Sequence, residues 1–281
     1  MKNNIVTVMF SKNRPLQCDL ALSSLNYCCG DIEYSDVFVL YKCDPEYVEA
    51  YEILIQEHPG VIFIRETYFD QNMFDIFYPR DYKYVMFVVD DTIFVDHFAI
   101  NTITDLLDIR PLSLGFSLRL GENCKYCYPL DMVQDIPPMT SILTNIMEYN
   151  WTKAEHDFAY PLEISSSIYR TEDIKPILSG SSTIYNPNHL ESVMDYYSRY
   201  YKPVKPMLLC PGVSMAFANP INKVQDVNNN RAGEMQTHSP KSLLHLYNYG
   251  LRIHPKKFFR HIPSACHEVV LLFKESDYYD S

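Results

Sequence analysis

Two adjacent acidic residues, Asp90 and Asp91, follow five consecutive apolar residues, Val85 to Val89. An uninterrupted run of that kind predicts a strand buried on both faces. A carboxylate beside it stays charged only if a cation or a row of donors compensates its desolvation. The pair is therefore expected at the carboxyl end of the strand, where open α/β sheets bind ligands. Oxygen ligands there suit a hard divalent ion, Mg²⁺ or Mn²⁺, and such an ion suits a diphosphate. Taken alone, the pair also fits an Asp-rich turn with Asp91 as a cap. A second chemistry-bearing group is Ser11-Lys12-Asn13-Arg14-Pro15. It follows a short apolar strand, Ile5 to Phe10, and precedes a helix signalled by Pro15. Main-chain donors, a helix dipole and two cations favour an anion at that point. The loop contains neither GxGxxG nor GxxxxGK[ST], so neither a Rossmann dinucleotide site nor a P-loop is indicated.

The elements that must position these groups alternate. Leu16, Leu20, Ala21 and Leu25 fall on one helical face, and Gly30 marks a stop. Strands are predicted over Asp36 to Leu40 and Val61 to Ile64, with a helix from Pro45 to His58 between them. A helical piece, Gln71 to Phe77, leads into the strand before the aspartates. Asp96 to Asp108 reads as a helix and Leu112 to Leu118 as a strand. Such alternation implies a parallel, layered α/β sheet with right-handed crossovers. Farther on, Ile164 to Tyr169 reads as a strand, and Asn186-Pro187 and Ser239-Pro240 open helices. The polar, Asn-rich stretch from Met215 to Arg231 reads as a loop.

With these elements in place, Ser11-Lys12-Asn13-Arg14-Pro15-Leu16-Gln17, Val88-Val89-Asp90-Asp91 and Gly115-Phe116-Ser117-Leu118-Arg119-Leu120-Gly121 resemble a glycosyltransferase of the GT-A fold, close to family 2-like bacterial and viral members. The similarity continues through Trp151, Asp157 to Leu162, Ile168-Tyr169-Arg170 and Asn186-Pro187, and covers most of the chain. It implies an α/β, Rossmann-like three-layer sandwich with a central, mostly parallel sheet and a mixed C-terminal portion. One domain over 1–281 is expected, with 1–120 as the nucleotide-sugar half. The acceptor half and C-terminal helices then occupy 121–281.

The resemblance further implies transfer of a sugar from a nucleoside diphosphate-sugar, UDP being the commonest, to a hydroxyl of a glycan, protein or small molecule. The family's DxD motif stands here as Val89-Asp90-Asp91. In this form Asp91 is expected as ligand to Mn²⁺ or Mg²⁺ and Asp90 as a contact to the sugar donor. Ser11, Lys12, Asn13 and Arg14 are expected at the nucleotide, with Arg119 and Arg80 as further candidates for phosphate or sugar contact. An inverting enzyme needs a carboxylate that takes the acceptor's proton. Asp157 is the first candidate and Glu163 the second, with Asp173 read as a helix-start carboxylate. Where related sequences carry Asp-Gly-His, this chain has Ser165-Ser166-Ser167.

Composition narrows the partners. The chain has 281 residues, a net charge of −11 and 47% hydrophobic residues, so it supports a substantial core but offers no general basic face for nucleic acid. The apolar run at the N-terminus is too short for a signal peptide, and no stretch approaches a membrane span, so a cytoplasmic protein is expected. The eight cysteines include one CxxC, Cys124 to Cys127, and are expected as reduced thiols rather than a zinc site. A basic–aromatic patch from His254 to His261 leaves peripheral membrane contact open. His267-Glu268 is a late candidate for metal or diphosphate, and Tyr196 to Tyr201 for sugar stacking. Nucleotidyl transfer and a non-catalytic binding module of the same fold are the competing readings.

Overall fold

The computed structural model describes residues 4–180, 183–224, 231–233 and 235–273. Its strands are β1 (Ile5–Lys12), β2 (Ser35–Lys42), β3 (Ile62–Arg65), β4 (Tyr84–Val89), β5 (Thr92–Phe94), β6 (Ser113–Ser117), β7 (Tyr126–Cys127), β8 (Met132–Val133), β9 (Met139–Leu143), β10 (Ile146–Asn150), β11 (Ser166–Arg170), β12 (Met207–Pro211) and β13 (Ala216–Ala218). The α-helices are α1 (Pro15–Cys28), α2 (Val48–Glu57), α3 (Phe69–Phe77), α4 (Ile100–Ile109), α5 (Thr171–Gly180), α6 (Pro187–Tyr201) and α7 (Pro240–Asn248). Nine strands form one sheet in the order β3-β2-β1-β4-β11-β6-β12-β10-β9. Strands β1 to β4 are mutually parallel, and so are β6 and β12. Strand β11 runs antiparallel between β4 and β6, and the hairpin β9–β10 closes the far edge.

Period-two alternation in the central strands builds two cores. Ile5 and Met9 of β1, with Tyr84, Met86 and Val88 of β4, pack against α1, α2, α4 and α7. Val6, Val8 and Phe10, with Val85 and Phe87, pack against α3, α5 and α6. Coverage on both faces is why β4 reads as a continuous apolar run. Helix α1 is buried on nearly every side, because α7 and the turn at Pro255–Lys257 cover its outer face. Asn186 caps α6 by accepting from His189 N, and Ser239 caps α7 by accepting from Ser242 N.

One close approach in the sheet needs glycine. A Cβ on Gly115 of β6 would lie 2.5 Å from the ring of Tyr169 on β11 and 2.9 Å from the carbonyl of Ile168. Tyr169 cannot swing aside, since it is fully buried and its hydroxyl donates to the carbonyls of Pro161 and Glu163. Gly115→Ala is therefore expected to destabilise the protein by about 1–3 kcal/mol. Urea unfolding checks this, and a midpoint equal to wild type would show that the two strands can part at no cost.

Several elements depart from the sequence reading. Helix α4 starts at Ile100 rather than Asp96, because Asp31 accepts from Ile100 N at 2.6 Å and Asn101 N at 2.8 Å and so caps it from a distant loop. Within the expected loop after Met215, β13 pairs antiparallel with β5, while 225–230 lies outside the described residues. Strands β7 to β10, β12 and the full length of α5 were not anticipated; β7 and β8 have two residues each, β8 and β9 are largely exposed, and α5 carries Pro176 in its interior. All eight cysteines are free thiols. Among the described residues no helix is long and apolar enough to cross a membrane.

Candidate active site

Because β1 to β4 are parallel, their carboxyl ends share one edge of the sheet. The antiparallel β11 begins at that same edge, and β6 ends there. A cleft of about 820 Å³ lies along it, with Ser11, Lys12, Arg14, Asp90 and Asp91 on one side and Arg119, Asp157 and Ser165 on another. Both groups singled out in the sequence thus reach one cavity, as expected of strand ends in an open sheet.

The ladder between β1 and β4 continues one residue beyond β4, where Asp90 N donates to the carbonyl of Phe10 at 3.0 Å. This sets Asp90 beside Ser11 and Lys12. Its Oδ2 accepts from Ser11 Oγ and from Lys12 N, each at 3.0 Å. Its Oδ1 accepts from Arg14 Nη1 at 3.0 Å, and the same nitrogen reaches Asp91 Oδ2 at 3.1 Å. Arg14 Nε donates to Asn222 Oδ1 at 2.9 Å, which fixes the guanidinium from behind. Burial works against the charge of Arg14, but Asp90 and Asp91 outweigh it and hold the guanidinium charged. Burial pushes the Asp91 carboxyl up to about 6, with Arg14 opposing and Asp90 adding. Asp90 is therefore held by three donors, whereas Asp91 has one partner that an incoming cation could replace.

On the other wall, Arg119 is almost fully buried, with its Nε 3.5 Å from Glu163 Oε2 and no hydrogen-bond partner on that nitrogen. Glu163 is only 1% exposed, and it is held from within by Ser165 N and Ser167 Oγ. Asp157 is bracketed by Gln134, which donates to its Oδ2 at 3.1 Å and accepts from its N at 3.2 Å. Burial raises the Asp157 carboxyl above its ordinary value, against Arg119 and Gln134.

His267 also faces the cleft, brought there by a parallel bridge to Ala218. Its Nδ1 is buried with no partner among the described residues, and burial together with Arg119 lowers its pKa to about 3. A neutral imidazole with a free nitrogen is a competent metal ligand. Among the described residues no group of three or more His, Cys, Asp or Glu side chains is arranged to hold a metal. Mg²⁺-type sites typically take one or two carboxylates and complete their shell with phosphates and water, so Asp91 fits such an ion, with the neutral His267 imidazole on the same cleft.

The structure relocates several sequence candidates. Asn13 does not line the cleft; it sits at φ +54° and clamps the loop by exchanging hydrogen bonds with Asp44 at 2.7 and 2.9 Å. Glu163 lies behind the wall rather than on it. Arg80 pairs with Asp36 and Tyr82 on the opposite edge of the sheet, far from any phosphate held at the strand ends. Asp173 is neutralised by Lys205 at 2.6 Å. Glu268 pairs with His261 at 2.8 Å. Tyr196 and Tyr200 point to solvent, and the tyrosines on the cleft are instead Tyr128, Tyr160 and Tyr185. Sequence reasoning missed the Lys42–Glu66 pair at the β2–β3 rim and Glu191 on α6. Glu191 directly follows the buried Leu190 within a capped helix, which was the available signal.

No protein-family model matches the chain. In an alignment of 256 positions that covers 82% of the chain, it is 28% identical to the bifunctional glycosyltransferase pgtA of Dictyostelium discoideum, and it spans 33% of that protein. The chain is a homologue of a glycosyltransferase. Its sheet, covered by helices on both faces, is the three-layer α/β sandwich that the resemblance implied. Among solved structures, S. aureus TarS shares 14% identity at a TM-score of 0.48, over 76% of this chain and 36% of that one. The 4-diphosphocytidyl-2C-methyl-D-erythritol synthase of Anaerococcus prevotii shares 8% at a TM-score of 0.42, over 88% and 98%. The chain thus spans about a third of the length of pgtA and of TarS.

Proposed function

We propose that the chain transfers a sugar from a nucleoside diphosphate-sugar, with UDP as the first nucleotide to test, to a hydroxyl of a glycan, protein or small molecule. The observation that carries this reading is the meeting of Asp91, His267 and Arg14 in one cleft at the strand ends, in a homologue of pgtA. Mg²⁺ or Mn²⁺ would be held by Asp91 and His267. Bound there, it would stabilise negative charge on the departing diphosphate. Asp90, fixed by Ser11 and Lys12, orients the loop against which the nucleotide rests. Lys12, exposed at the rim, and Arg119, with a nitrogen unspent, add positive charge. Nucleotidyl transfer is less well supported, since only Asn13 and Arg14 separate β1 from α1, too few to wrap a triphosphate.

Thermal unfolding with nucleoside diphosphates, with and without Mn²⁺, tests the proposal. At a ligand concentration of about 100 times Kd, UDP with Mn²⁺ is expected to raise the melting temperature by roughly 5–10 °C, and UDP alone by far less. If no nucleoside diphosphate shifts the transition in a metal-dependent way, the cleft is not a sugar-donor site.

A further inference from the structure

An inverting transfer needs a carboxylate on the cleft to take the acceptor's proton. The carboxylates that line the cleft are Glu66, Asp90, Asp91, Asp157 and Glu191. Glu66 is committed to Lys42 at 3.3 Å, on the β2–β3 rim. Asp90 and Asp91 belong to the Arg14 cluster. Asp157 is held at both its side chain and its main chain by Gln134. Glu191 differs from all of them. It projects from the second turn of α6, is half-buried, and among the described residues receives only a main-chain donor, Ile164 N.

We infer that Glu191 takes the proton from the acceptor hydroxyl, an assignment that rests on the glycosyl-transfer reading. The acceptor O–H bond breaks, with its proton passing to a Glu191 carboxylate oxygen. The freed electron pair forms the bond from acceptor oxygen to the anomeric carbon, and the bond from that carbon to the diphosphate oxygen breaks, its pair leaving with the nucleoside diphosphate. Attack opposite the leaving group inverts the anomeric configuration, and Glu191 later returns the proton to solvent.

The surroundings suit a proton acceptor. Arg119 and Tyr160 act on Glu191 from the neighbouring wall and Glu163 from behind it, and Asp195 lies one turn along its own helix. Of these charges Arg119 acts most strongly on Glu191 and favours its ionised form, while Glu163 and Asp195 act in the opposite sense. Burial pushes its carboxyl up to about 7; Arg119 opposes this, and Glu163 and Asp195 add to it. A base poised near the working pH is the most effective kind.

The test compares wild type, Glu191→Gln and Glu191→Asp as full chains. UDP release from UDP-glucose, UDP-galactose and UDP-N-acetylglucosamine is followed with Mn²⁺ from acid to alkaline pH, beside calorimetry with UDP and Mn²⁺. Wild-type release should rise with pH through about 7, as the carboxyl loses its proton, and then level. Glu191→Gln should lose roughly 10²- to 10⁴-fold in rate together with that rising limb, at unchanged UDP affinity. Glu191→Asp should keep the limb at reduced rate. A Gln variant that matches wild type in rate and profile overturns the assignment of Glu191 alone. So does loss of UDP binding in both variants, which marks a structural residue. Failure of wild type both to bind UDP and to release it removes the glycosyl-transfer reading, and the assignment with it.

Discussion

Asp91→Asn is expected to lower metal-dependent cleavage of the sugar donor by roughly 10³-fold or more, the scale of losing a metal's charge stabilisation. The reasoning is local. Asp91 is the acidic side chain of the pair with a single, replaceable partner, since Asp90 is held by three donors, Ser11, Lys12 N and Arg14. Asparagine keeps the shape and retains an oxygen toward Arg14, so the fold should lose no more than about 1 kcal/mol. The measurement pairs UDP release across Mn²⁺ concentrations with urea unfolding of the same variant. An unchanged rate with an unchanged Mn²⁺ requirement would remove Asp91 from the metal site.

Arg14→Met carries the largest expected effect on stability, a loss of about 3–5 kcal/mol. One guanidinium neutralises the buried Asp90 and the half-buried Asp91, with Arg14 and Asp90 only 9% and 4% exposed. Methionine fills much of the volume but leaves both charges uncompensated in a poorly solvated place. The pH dependence has a definite sign. Arg14 lowers the Asp91 carboxyl, so its removal raises that group further above the unfolded value. A raised carboxylate favours the folded state at low pH, so the deficit is full at alkaline pH and shrinks as the pH falls toward about 6, the value Asp91 keeps with Arg14 present. Millimolar Mn²⁺ should restore part of it by supplying another cation. Denaturant midpoints of variant and wild type across pH decide the matter; coincident curves would mean that the carboxylates need no counter-charge.

How much of this was legible depended on range. The Val85–Val89 run announced a doubly covered strand, and a parallel sheet then placed Asp90 and Asp91 at its ligand-binding edge. Pro15, Asn186-Pro187 and Ser239-Pro240 marked helix starts that the structure reproduces, because those signals are local. What could not be read was contact across the chain. Nothing around Asp31 announces that it caps α4, and nothing around Arg14 announces that it joins Asp90, Asp91 and Asn222. Glu163 drew attention as an acid entering a strand, but its environment, a shell of Ser165, Ser167 and Arg119, is a tertiary property. Glu191 was passed over for the converse reason: a carboxylate on a Tyr-rich helix looks like surface until α6 is seen to wall the cleft.

The stitching behind Asp91 bears on modularity. The Asp91 carbonyl accepts from Asn219 N at 2.8 Å, β5 is zipped to β13, and Ala218 in turn exchanges main-chain hydrogen bonds with Cys266 and Glu268 on either side of His267. Three stretches of polypeptide remote in order are thus sewn edge to edge beneath one ligand position. The N-terminal strands and helices, though they carry both acidic residues, are for that reason not a detachable nucleotide-binding cassette. Grafting or shuffling them without the partner stretches would carry the carboxylates along and leave their scaffold behind.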